Sequence, residues 1–144
     1  MLRAMQGAGV ACDGNSKSKS IKMRIIKGNL ITLAKAGEFD AIVHGCNCFC
    51  EFGSGLAPQI KEHFPCAWHV DQLTERGNAM KLGTYTLGEF PLPGNMFHRS
   101  NLLVVNAYTQ YVGGANLDYQ ALFKALLAVG DDLKHCESIG LPRI

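Results

Sequence analysis

Apolar positions along this chain change period several times, and the changes mark out its elements. Residues 23–26 form a short β-prone run closed by Lys27, Gly28 and Asn29, and residues 40–44 form a second, nearly continuous apolar run. A run that is apolar on both parities fits a strand covered on both faces. Between them, residues 30–39 read as a loop or a short helical turn. Residues 56–64 carry a helical pattern ended by Pro65, and residues 67–76 another, stopped by Gly77. The period then shortens: 83–90 is expected to be a strand, 91–100 a loop rich in Pro and Gly, and 102–107 a buried strand. After Gly113 and Gly114, Asn116 or Asp118 is placed to cap a helix on which Tyr119, Leu122, Phe123, Leu126, Leu127 and Leu133 recur at three and four. Residues 138–141 are a last candidate strand. Strands alternating with helices predict an α/β fold, a covered and largely parallel sheet with helices on both faces. Ligands of such sheets sit beyond the carboxyl ends of the strands.

Composition narrows the class. The chain has 144 residues, 47% hydrophobic and 18% charged, which is one soluble domain's worth with enough apolar side chains for a core. No run approaches the roughly 18 apolar residues of a membrane span, so no membrane partner is expected. Residues 1–22 carry Arg3 near their start but lack a continuous apolar segment, which is not the layout of a secretory signal. They are assigned to a flexible leader, with the folded domain at 23–144. Arg3, Lys17, Lys19 and Lys22 against Asp13 place the formal charge of +2 in that leader and leave the rest slightly acidic. A slightly acidic domain carries no nucleic-acid footprint.

Six cysteines, at 12, 46, 48, 50, 66 and 136, are even in number, yet three alternate within five residues and no export signal precedes them. A reducing cytoplasm and buried free thiols are the expectation. His44, Cys46, Cys48 and Cys50 share one parity, but residues two apart on a strand stand about 6.6 Å apart, too far for neighbouring ligands of one tetrahedral zinc. No metal is expected.

The stretch that carries chemistry is AIVHGCNCFCEFGSGLAPQIKEH, residues 41–63: a strand, a turn of Gly53, Ser54 and Gly55, and a helix opening at Leu56. Glycines let backbone approach a phosphate, and the first N–H groups of a helix, without intrahelical partners, favour an anion. Pro58 suits the first helical turn. His44 can exchange a proton near neutrality, or be a core histidine; Asn47 can meet a ligand, or hold the turn.

With these residues the chain resembles the macro domain, an ADP-ribose-binding module. Lys27, Gly28, Asn29 and Leu30 after the first strand, the residues Ile42 to Cys48, and Gly53 to Ala57 carry the likeness; residues 104–107 and 140–144 extend it. The tract headed by His44 is most similar to the ADP-ribose-1″-phosphate phosphatase branch, with relatives in bacteria and phages. The resemblance implies a three-layer α/β/α fold with a mixed, largely parallel sheet, incomplete at the C-terminus, because in the family a second glycine-rich loop, a helix and a strand follow the tract that ends here at Ile144. It implies Gly28, Asn29 and Leu30 at the adenine, Asn47 at the distal ribose, and Gly53, Ser54, Gly55 and Leu56 around ribose and diphosphate. His44 is the catalytic candidate, and no cofactor is implied. Three readings follow: an enzyme releasing the 1″-phosphate or cleaving an ADP-ribosyl ester, a module that binds ADP-ribose, free or on protein or nucleic acid, without turnover, and a fragment with little activity.

Overall fold

The structure, a computed structural model, describes residues 2–7, 21–93 and 101–143. Its strands in chain order are β1 (Leu2–Gly7), β2 (Ile21–Ile26), β3 (Ala41–Asn47), β4 (Tyr85–Pro91), β5 (Asn101–Gln110) and β6 (Ser138–Pro142). Its helices are α1 (Leu30–Lys35), α2 (Ala57–His63), α3 (Pro65–Gln72) and α4 (Tyr119–Asp132). The strands form one mixed sheet in the order β2-β1-β6-β3-β5-β4. β3 lies parallel to both neighbours, β5 and β6, whereas β1 is antiparallel to β2 and β6, and β4 to β5. Parallel pairing is thus confined to the middle of the sheet. Pro91 falls on edge strand β4, where a missing N–H leaves no central ladder broken.

The flexible leader assigned to residues 1–22 is corrected by this sheet. Leu2–Gly7 is a strand between β2 and β6, Leu2 facing Ile26 on one side and Pro142 on the other, and Ile21 and Lys22 open β2. A ladder on both sides satisfies backbone groups whatever the side chains, so this strand needs no apolar run to mark it. Residues 8–20, and 94–100 of the expected Pro- and Gly-rich loop, lie outside the described residues.

The helices form two layers. α1, α2 and α3 pack on Ile42, Cys46, Leu102, Val104 and Tyr108, while α4 packs on Val43, Leu103, Val105 and Ala107 of the opposite face. Burial on both faces is why β3 and β5 read as continuous apolar runs. α3 lies close over β4: a Cβ at Gly88 would stand 2.8 Å from the carbonyl carbon of Cys66 and 2.9 Å from the amide of Ala67. Asp118, not Asn116, caps α4, accepting from the amides of Gln120 and Ala121. The buried face of α4 is Ala121, Ala125 and Val129, continued by Leu133, and Tyr119, Phe123 and Leu127 are exposed. Small residues let the helix sit low on the sheet, so the large apolar residues of the three-and-four pattern fall on its flank. No helix among the described residues is long and apolar enough to cross a membrane.

Candidate ligand-binding site

A cavity of about 340 Å³ opens at the carboxyl ends of β3 and β5. Val43, Gly45, Ala107 and Thr109 line it from the sheet, Ser54, Gly55, Leu56 and Ala57 from the turn into α2, Leu122 and Leu126 from α4, and Arg143 from the end of β6. Gly55 has φ +63°, a left-handed conformation that glycine takes without strain. Among the described residues, none of the N–H groups of residues 53–56 meets a carbonyl or side-chain acceptor; the first bonds of α2 run from Gln59 and Ile60 to the carbonyl of Leu56. Leu56, the N-cap, has no side chain to bond them. The turn therefore presents free donors beside the cavity, as the strand, turn and helix order predicts. Gly53 is the turn residue that does not line it.

The segment leading into that turn is clamped by residues the sequence does not single out. Gly77 N–H and Lys81 Nζ donate to the carbonyl of Cys48, Arg76 Nη1 to that of Phe49, and Gln72 Nε2 to that of Cys50. Arg76 also pairs with Glu51 at 2.7 Å. Cys50 itself sits at φ +56°, a strained backbone for a residue with a Cβ. Asn47 belongs to the same clamp: its Oδ1 accepts the amide of Phe49 at 2.8 Å and its Nδ2 donates to the carbonyl of Glu51 at 3.2 Å. It lines the cavity with one Nδ2 hydrogen left to offer.

His44 is placed otherwise than a catalytic role requires. It is among the residues around the cavity, but its ring lies on the face covered by α1–α3, 2% exposed, edge-on to Phe52 at 5.3 Å. Its Nε2 is 2.6 Å from Asn106 Oδ1. Asn106 Nδ2 donates to the carbonyl of Ala67 and to Thr86 Oγ1, so Oδ1 is the acceptor and the imidazole carries its proton on Nε2. Burial pushes the His44 pKa down to about 4, only partly opposed by the Asn106 hydrogen bond. A neutral, buried imidazole with its Nε2 proton engaged by Asn106 is poorly disposed to act as the expected acid or base. The polar chain continues through Thr86 and Tyr108 to Asp71, whose carboxyl is raised by burial, against the Tyr108 hydrogen bond and Lys81.

No family model matches the chain. An uncharacterised 17.5 kDa protein of Enterobacteria phage T4, encoded in its tk–vs intergenic region, is 36% identical over 126 residues, covering 85% of this chain and 77% of the phage protein. The chain belongs to the family of that phage protein. Among solved structures, the macrodomain protein of Streptomyces coelicolor superposes with a TM-score of 0.50 at 26% identity, covering 72% of this chain and 67% of that one. The macrodomain of Mycobacterium tuberculosis DarG superposes with a TM-score of 0.53 at 16% identity, over 75% and 67% of the two chains. The fold is the macrodomain fold.

In this fold, Gly28, Asn29 and Leu30 lie where β2 runs into α1, and none of them lines the cavity. Leu30 is buried, and Asn29 caps α1, its Oδ1 accepting from the amide of Thr32 at 3.1 Å. The cysteines at 46, 48, 50 and 66 are free thiols, and burial raises those of Cys46 and Cys48. Among the described residues no group of three His, Cys, Asp or Glu stands close enough to hold a metal.

Proposed function

We propose that this macrodomain binds ADP-ribose or a derivative of it, with the diphosphate against the turn of residues 53–56. The observation that carries this reading is the set of unpaired N–H groups at that turn, held beside a cavity at the strand ends. An anion there gains backbone hydrogen bonds that would otherwise go to water, and the Arg143 guanidinium on the far side adds positive charge. Asn47 offers its remaining Nδ2 hydrogen to a ribose oxygen, and Asn29, whose Nδ2 has no partner, offers a donor to an adenine nitrogen.

Binding without turnover is the better reading, because the enzyme reading relies on His44, and that ring is enclosed behind Phe52 with its pKa near 4. Titration calorimetry with ADP-ribose tests the proposal: saturable heat is expected, and no heat at millimolar ligand rejects it. Incubation with ADP-ribose-1″-phosphate tests turnover. Release of phosphate that disappears in His44→Gln, with the variant still folded, would restore the phosphatase reading.

A further inference from the structure

We propose that Thr109 is a ligand-contacting residue of this cavity, its hydroxyl reading a sugar hydroxyl of the bound nucleotide. Thr109 is 3% exposed and lines the cavity, yet among the described residues its Oγ1 meets no hydrogen-bond partner, and no fully buried side-chain oxygen or nitrogen there is left without one. The two facts agree only if Oγ1 is reached from the cavity. A hydroxyl enclosed on every side but one, with no partner among the described residues, takes its hydrogen bond from the cavity, from water or from a ligand group that replaces it.

Gly45 points the same way. It is exposed between buried neighbours on a central strand, and its φ is not in the left-handed region, so the backbone itself does not call for glycine. A Cβ there would stand 2.8 Å from Thr109 Oγ1. The missing side chain keeps the hydroxyl open.

The surroundings select what the hydroxyl meets. Leu122 and Leu126 of α4 and Leu141 of β6 supply apolar lining, whereas the groups that favour an anion are the turn amides and Arg143. A phosphate set against the leucines would lose water without gaining charge, so its place is at the turn. A neutral sugar hydroxyl is both donor and acceptor, as threonine is, and pairs there at little cost.

The inference rests on the ADP-ribose reading and is separable from it. Calorimetry on wild type, Thr109→Val and Thr109→Ser uses ADP-ribose and ADP, which lacks the second sugar, with thermal melting to confirm that each variant is folded. For ADP-ribose, Thr109→Val should weaken binding about five- to thirty-fold and Thr109→Ser should recover it to within about three-fold, the range of one ligand hydrogen bond. For ADP all three should bind alike. Equal ADP-ribose affinity in wild type and Thr109→Val, equal losses for both ligands, or a failure of serine to recover affinity each overturns the assignment. Binding of neither ligand by wild type overturns this inference together with the ADP-ribose reading.

Discussion

At the scale of single residues, parity along β3 and β5 decides which layer of helices each polar group faces. His44, Cys46 and Asn106 point to the face covered by α1–α3, and Gly45 and Thr109 to the face covered by α4. His44 has a measurable signature in its buried place. Its folded pKa of about 4 lies below the ordinary 6.5, so as pH falls the unfolded chain takes up a proton before the folded one does. The stability tied to the neutral ring is complete above about pH 6.5 and is lost as pH falls towards 4, with about 2 kcal/mol going between pH 7 and pH 5. Urea unfolding at the two pH values should show that loss in wild type and not in His44→Gln, which keeps an amide for Asn106 but has nothing to titrate. Equal losses in both proteins would mean that the ring is not enclosed.

At the scale of elements, periodicity located the helices but not always the face they bury. On α4 the large apolar residues mark the buried face only in part: Leu133 is buried and Leu126 packs on the core, but the helix approaches the sheet through Ala121 and Ala125 and turns Tyr119, Phe123 and Leu127 outward. Phe123→Gln should therefore change the unfolding free energy from urea titration by no more than about 0.5 kcal/mol, whereas Leu133→Ala, at a buried position, should cost about 2–4 kcal/mol. A large loss in the first would reinstate the stripe read from spacing. The contact of α3 with β4 is tighter still. Gly88→Ala forces a methyl group against the backbone of Cys66 and Ala67, where no side chain can swing away, and should lower stability by about 1–3 kcal/mol on thermal melting. A melting temperature unchanged from wild type would show that the two elements part easily.

For the whole molecule, the cavity couples ligand and stability. ADP-ribose at about a hundred times its dissociation constant should add about 2.7 kcal/mol, a rise in melting temperature on the order of 8 °C for a domain this size, less in high salt. No rise at saturating ligand would contradict a site built into the folded state. Much of this molecule is legible in its sequence: the order of elements from β2 to β6, and the strand, turn and helix that place Gly53 to Leu56 at a strand end, follow from local periodicity, glycine geometry and backbone groups that lack partners. Local patterns carry these because each depends on residues only a few positions apart. The strand at Leu2–Gly7, the burial of His44, the Asn47 clamp completed by Arg76 and Lys81, and the opening of Thr109 against Gly45 were decided only in the tertiary structure. Each depends on which side of a strand meets which distant element, and that depends on sheet order, register and how closely the helices approach, none of which is written in any single stretch of chain.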